Sequence, residues 1–286
     1  MIDCHTHVGE RRHFSGAFID DMVRAWGPQA NPARSLEEHW EAVAPVEKAI
    51  VLAFAAPRIG FDVPNEYVAE YVAQHPDKLV GFASVDANDI DAVPLLQRGV
   101  EMGLRGLKLA PTYQGYDPLS PAALAVCEAA EDLGLPILWH QGTTFVRTAE
   151  LRYALPLQID QVAIRFPELR IVIAHMGHPW IDDAMVVVRK HPHVYADVSA
   201  LHPRPWQLYN ALLSAVEYGV ADKLLFGTDW PFAQLDASIA GLRAVNRFAE
   251  GTALPQVPAA VIEGILERPT FALLGLDDDA AREAAA

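Results

Sequence analysis

Cysteine is almost absent from this 286-residue chain: Cys4 and Cys127 are the only two, too few for a disulfide framework or a Cys-rich zinc site. No apolar run approaches the roughly 18 residues that a membrane helix needs, and no basic-then-apolar leader precedes the first strand-like run. Together these predict a cytoplasmic protein. Basic residues are scarce as well, with 22 Lys and Arg against 37 Asp and Glu and a formal net charge of −15. That balance argues against nucleic acid or an anionic membrane as a partner and leaves a small molecule as the expected one. No G-x-G-x-x-G turn follows the first strand, so the signature of a dinucleotide-binding, doubly wound sheet is missing. Repeats and low-complexity tracts are missing too, apart from an Ala- and Asp-rich tail whose residues 277–286 are expected to fray.

What the chain does have is apolar material, 51% of its residues, laid out in alternating short and long segments. Strand-like runs fall at 1–5, 48–54, 79–85, 104–109, 136–140, 170–175, 193–198 and 223–227. Amphipathic stretches lie between them. Ser35 and Glu38 make a capping box opening a helix to about Ala44. Residues 64–75 read as helical, Asn88 as the N-cap of a helix ending near Met102, and Ser120-Pro121 as a cap-then-proline start closed by Gly134. Further helices are predicted at 157–166, 181–190, 205–218, 235–249 and 258–267. Eight β-α units without a linker predict one α/β domain over 1–276, a (β/α)₈ TIM barrel with right-handed crossovers. It carries a long loop at 10–34 after the first strand and extra C-terminal helices. Loops of that length are often lids or binding loops.

The barrel reading directs attention to the C-terminal strand ends, where such barrels build their active sites. The first strand runs into His5 and His7, whose i, i+2 spacing puts both side chains on one face, roughly 6.6 Å apart along the backbone. His140 ends the fifth strand, His175 the sixth, and Asp229 follows the eighth. Imidazoles and a carboxylate are ligands for a hard or borderline divalent ion, which lowers the pKa of bound water towards ~7.

These motifs resemble the amidohydrolase superfamily, in the branch typified by aminocarboxymuconate semialdehyde decarboxylase and its hydrolase relatives. The matching stretches are DCHTH at 3–7, GLKL at 106–109, WHQG at 139–142, IAHMGHPW at 173–180, YADVSA at 195–200 and FGTDWPF at 226–232. The resemblance implies one metal ion, zinc first and manganese as the alternative, held by His5, His7, His140 and Asp229, with His175 beside the water and substrate. It also implies a homodimer. Asp229 is expected to act as general base then acid, and His175 to hydrogen-bond an oxyanion. The favoured reaction is hydrolysis of a small organic ester, lactone or amide through a metal-activated water. Non-oxidative decarboxylation of an aromatic or unsaturated carboxylic acid is the alternative, since Asp229 can instead help protonate a carbon. A metal-binding barrel without catalysis is a third reading.

Other residues carry weaker expectations. Lys108, at the fourth strand end, is where some branches carry a carboxylated lysine bridging two metals, but a hydrogen bond or a substrate carboxylate suits it better here. His178 is read as structural or as a substrate contact, and Asp197 as orienting a metal-ligating histidine or capping the next segment. Cys4 is expected to turn away from the two histidines into the core. His13, His39, His75, His191, His193 and His202 are expected to be mostly solvated. Loop aromatics, namely Trp26, Tyr113, Tyr116, Phe145, Trp180, Trp206, Trp230 and Phe232, suit an apolar pocket. Among the loop arginines Arg11, Arg12, Arg58 and Arg147, Arg147 is the candidate clamp for a substrate carboxylate. Near the C-terminus, ILERPTFALLGL at 265–276 departs from the family's pattern, which bears on packing rather than on chemistry.

Overall fold

A computed structural model describes residues 1–277, so the tail expected to fray lies, apart from Asp277, outside the described residues. Among the described residues ten strands occur: β1 (Ile2–His7), β2 (Lys48–Leu52), β3 (Phe54–Ala56), β4 (Phe61–Val63), β5 (Leu79–Ser84), β6 (Leu107–Leu109), β7 (Ile137–Trp139), β8 (Ile171–Ile173), β9 (Val194–Asp197) and β10 (Leu224–Leu225). Eight of them form one sheet in the order β1-β2-β5-β6-β7-β8-β9-β10, each ladder parallel. The sheet closes on itself. The Cys4 amide donates to the Phe226 carbonyl at 3.0 Å, the Asp229 amide to His5 at 2.8 Å and the His7 amide to Trp230 at 2.8 Å. The fold is therefore the expected TIM barrel, and every barrel strand falls where the sequence puts it to within a few residues.

Alternation along the strands sorts the core into two layers. Ala49, Val51, Ile137, Ile171 and Val194 face the surrounding helices. Ile50, Leu52, Val80, Phe82, Leu138, Val172, Tyr195 and Leu225 fill the barrel interior. A short helix, Thr270–Leu274, adds Phe271, Leu274 and Leu276 to that interior layer. The Lys48 ammonium, at the start of β2, lies 5.2 Å from the Phe271 ring centroid. The unusual 265–276 segment thus plugs the N-terminal mouth, and the opposite mouth is left for chemistry.

Local chemistry explains the connections. The Ser35–Glu38 capping box forms with both reciprocal bonds, at 2.7 and 3.2 Å, ahead of a helix over Leu36–Ala42. Ser120 caps Pro121–Asp132 through the Ala123 amide. Asn88 is not a cap: its helix starts only at Ala92, and its side chain instead donates to Asp86 and to the Gln114 carbonyl. Two features escape the sequence reading. One is the β3–β4 hairpin, whose turn at Pro57–Ile59 ends on Gly60 at φ 77°, a left-handed conformation that glycine adopts without strain. The other is a helix over Gly16–Trp26 inside the 10–34 stretch, capped by Ser15. Phe18, Met22 and Trp26 recur every fourth residue along it and share one face.

Candidate active site

The register of β1 against β2 slips between Asp3 and Thr6, where an irregularity inserts an extra residue. Such bulges redirect side chains beside active sites. Here the slip lets Cys4 join the barrel interior while His5, next in sequence, also reaches across it. Cys4 is therefore core, but on the same side as the histidines rather than turned away from them. Gly227 makes room for the pair: a Cβ there would lie 2.9 Å from His5 Cβ and 3.5 Å from Cys4 Sγ.

His5 is held from behind. Its Nδ1 lies 3.0 Å from Asp197 Oδ2, with both side chains fully buried. Since the carboxylate can only accept, Nδ1 carries the proton and Nε2 presents a lone pair. That lone pair faces His7 Nε2 at 3.2 Å and Asp229 Oδ1 at 3.3 Å, and His7 Nε2 is 3.3 Å from the same oxygen. The three atoms form a nearly equilateral triangle. Metal–ligand bonds of about 2.1 Å in a tetrahedron would set donors ~3.4 Å apart. His5 and Asp229 also group with His175, the ligating atoms of the three lying within 4.8 Å of one another. Nearby, His140 Nε2 is buried with no hydrogen-bond partner. Burial, with help from the Lys108 charge, holds His5, His7 and His140 well below the usual imidazole pKa, so all three are neutral. Neutral imidazole nitrogens converging on one carboxylate oxygen at this spacing, beside an orphaned imidazole, fit a divalent cation.

Asp197 does both things the sequence left open. Its Oδ2 orients His5, while Oδ1 accepts from the His175 and Ser199 amides at 3.0 Å each. Ser199 Oγ donates to that same Oδ1 and accepts from His175 Nδ1 at 2.8 Å. His175 accordingly keeps its proton on Nδ1. Burial lowers its pKa to about 3, so in this tautomer Nε2 is an acceptor and donates to an oxyanion only after taking up a proton. Lys108 is 1% exposed, with Nζ 3.4 Å from His5 Nε2. Burial pushes the lysine pKa down and the Asp229 carboxyl up, and their mutual attraction opposes both shifts.

Among the described residues, four other than glycine have positive φ: His175 (56°), Met176 (50°), Ala200 (57°) and Asp229 (64°). Each costs on the order of 1–3 kcal/mol and persists only where surrounding contacts enforce it. Three of the four line one cavity of about 680 Å³ at the C-terminal mouth. His7, Lys108, His140, His175 and Asp229 form its floor. Phe18, Met22 and Trp26 of the Gly16–Trp26 helix, together with Phe54, Phe61, Tyr113, Phe145 and Phe232, supply its walls. The 10–34 stretch thus contributes one wall of this cavity. His178, Arg34 and Arg204 line the cavity as well.

Other sequence candidates lie elsewhere. Arg147 is outside the cavity lining: its backbone amide and its guanidinium both bind Asp21 on the Gly16–Trp26 helix, tying that helix to the loop after β7. Trp230 is buried with its ring 5.1 Å from that of His39, away from the cavity. Tyr116, Trp180 and Trp206 are also outside the lining, whereas Trp26, Tyr113, Phe145 and Phe232 belong to it. Three histidines expected in solvent are buried. His39 bridges Tyr71 and Thr6 at 2.8 and 2.9 Å, His202 meets the Gly227 carbonyl at 3.3 Å, and His13 accepts from the Glu10 amide at 3.0 Å. Ser199, Arg34 and Arg204 were missed. Only Ser199 had a local signal, the D-x-S spacing after a strand that marks an Asx-type turn.

Among the described residues no helix is long and apolar enough to cross a membrane. The chain is 22% identical to 2-amino-3-carboxymuconate-6-semialdehyde decarboxylase of Dictyostelium discoideum, covering 78% of this chain and 69% of that one. Among solved structures it resembles a probable 2-pyrone-4,6-dicarboxylic acid hydrolase from Acinetobacter baumannii, at TM-score 0.69 and 15% identity over 96% of this chain and 98% of that one. A dihydroxybenzoic acid decarboxylase from Polaromonas, solved with manganese and 2-nitroresorcinol, superposes at TM-score 0.65 and 16% identity over 96% of both chains. The amidohydrolase family model matches residues 2–276, from the first strand to the plug at the barrel's far end, and the chain therefore belongs to the amidohydrolase family.

Proposed function

We propose that this amidohydrolase is a metal-dependent carboxy-lyase that removes CO₂ from an aromatic or unsaturated carboxylic acid. The observation that carries this reading is the inverted charge of the cavity. In a chain with net charge −15, the lining holds three cations, Lys108, Arg34 and Arg204, and one carboxylate, Asp229. Aromatic walls around a cationic interior suit a flat anion. An uncharged ester, lactone or amide would leave the Arg204 charge without a counter-ion, so hydrolysis, first in the sequence reading, becomes the second reading here. The decarboxylase names of the Dictyostelium and Polaromonas proteins support this order. The Acinetobacter hydrolase, named for a dicarboxylic acid, keeps hydrolysis of an anionic lactone as the second reading.

His5, His7, His140 and Asp229 are the residues that would hold the ion, with His175 within reach of the same point. A divalent cation there supplies a positive charge that binds substrate oxygens and stabilises negative charge developing on them. The chain's own groups do the rest. Asp197 fixes His5 in the tautomer that keeps Nε2 unprotonated. The aromatic walls exclude water and hold the ring against the floor. Asp229, in its protonated form, delivers a proton to the carbon bearing the carboxylate. The C–C bond then breaks, its electron pair returns to the ring or double bond, and CO₂ leaves. The proton gained by carbon balances the carboxylate lost, and Asp229 regains a proton from solvent.

The test is metal analysis of the purified protein together with a turnover screen, before and after chelation and after reconstitution with zinc or manganese. Hydroxybenzoates and muconate-type acids are compared with lactones, esters and amides. About one ion per chain and chelator-sensitive CO₂ release, lost by orders of magnitude in Asp229→Asn, is expected. Acid release without CO₂ would assign the hydrolase. A metallated protein inert on every class would return the reading of a binding barrel.

A further inference from the structure

Arg204 sits where the loop after β9 enters the Pro205–Glu217 helix, on the cavity wall beside His178. Its backbone is fixed, the amide donating to the Leu201 carbonyl at 2.8 Å. One guanidinium nitrogen, Nη1, donates to the carbonyl of Ala200 at 2.7 Å, the residue held at φ 57°. The backbone strain at Ala200 thus coincides with the anchoring of this side chain. Among the described residues no carboxylate pairs with it, and no hydrogen bond occupies its Nε–Nη2 edge. The other cations of the cavity are engaged. Lys108 is buried against His5 on the floor, and Arg34 binds the Ala33 carbonyl and lies 3.9 Å from Glu38. The Arg204 charge is felt inside the site, where it adds to the burial that lowers the His178 pKa and weakly opposes the burial that raises that of Asp229.

A half-buried, pre-positioned guanidinium with one free edge is a bidentate receptor for a carboxylate. Two considerations decide which carboxylate. Decarboxylation moves negative charge off the departing group, so a cation locked onto that group would stabilise the ground state more than the transition state and slow the reaction. Arg204 therefore suits a carboxylate that stays on the molecule. The cavity, at about 680 Å³, is also roomier than one ring with a single carboxylate needs. We propose that Arg204 is a specificity-determining residue that receives a second carboxylate of the substrate, so that the site takes dicarboxylic aromatic or unsaturated acids in preference to monocarboxylic ones.

This inference rests on the carboxylic-acid reading of the site, and binding separates the two. Benzoate and the 1,2-, 1,3- and 1,4-benzenedicarboxylates serve as non-reacting probes, titrated calorimetrically into the metal-reconstituted protein and its Arg204→Met and Arg204→Lys variants. At least one dicarboxylate should bind the wild type tighter than benzoate does. Arg204→Met should remove that advantage, a loss of about 10- to 100-fold, and Arg204→Lys should restore it in part, while benzoate affinity stays unchanged in all three proteins. Retained benzoate binding also reports an intact fold. If wild-type protein shows no preference for any dicarboxylate, or Arg204→Met weakens benzoate and dicarboxylates equally, the second-carboxylate role is overturned while the decarboxylase reading stands. If no carboxylate binds the wild type at all, both fall.

Discussion

Replacing Asp197 by Asn changes one atom in the most heavily used carboxylate of the site. Oδ1 of Asp197 accepts from two backbone amides and the Ser199 hydroxyl, and an Asn oxygen placed there keeps all three bonds. The Nδ2 group then faces His5 Nδ1, which lies 3.0 Å from Oδ2 in the native chain. Two N–H groups cannot face each other, so His5 must move its proton to Nε2, the atom turned towards His7 and Asp229. A protonated Nε2 cannot ligate a metal. Binding then requires His5 to return to the unfavourable tautomer with a donor facing a donor. Losing such a supporting contact typically costs 10–100-fold in metal affinity, about 1.4–2.7 kcal/mol. The assay is competitive titration of metal-free protein with zinc or manganese against a chelator of known affinity, with the metal-free melt measured alongside. The variant should fold with near-native far-UV dichroism and bind metal at least tenfold more weakly. Affinity within twofold of wild type would refute the account of how His5 is oriented.

Two further outcomes follow from the same contacts. Gly227→Ala places a methyl 2.9 Å from His5 Cβ and 3.3 Å from Ser199 Cβ in a fully buried corner. It should lower stability by about 1–3 kcal/mol and weaken metal binding, read as a lower melting temperature and a shifted chelator competition curve; an unchanged melt would mean that β1 and β10 yield more easily than their bonding implies. His39 gives a pH dependence. Burial lowers its pKa to about 3 from the ordinary 6.5, so on acidification the unfolded chain takes up a proton that the native state refuses. Its contribution is complete above pH 6.5 and is lost progressively towards pH 3, at up to about 1.4 kcal/mol per unit. Denaturant titrations at several pH values should show a shallower acid slope for His39→Gln, and equal slopes would show that His39 does not stay neutral in the folded protein.

Much of this protein is legible along the chain because it is encoded locally. Strand and helix positions follow from hydrophobic period and turn chemistry, as in the Ser35–Glu38 box and Ser120-Pro121. The convergence of His5, His7, His140, His175 and Asp229 follows from one rule, that a barrel gathers its C-terminal strand ends at one mouth. The helix over Gly16–Trp26 was hidden among glycine, proline and aromatics, although its cavity face was already written in the spacing of Phe18, Met22 and Trp26. What no local pattern carries is the choice of partner. His5 and Asp197 are 192 residues apart, and Arg147 and Asp21 are 126 apart. Sequence alone marked Arg147 as a free loop cation, and tertiary packing spent it on Asp21 while leaving Arg204 without a carboxylate. His39 looked solvated because nothing near it in sequence announces Tyr71 or Thr6, which chain folding brings to its two ring nitrogens. The sequence determined which groups reach the mouth of the barrel, because strand ends and side-chain alternation are set residue by residue. The tertiary structure decided which of them are neutral, which are already paired and which remain free for a ligand, because burial and long-range contact exist only once the barrel has closed.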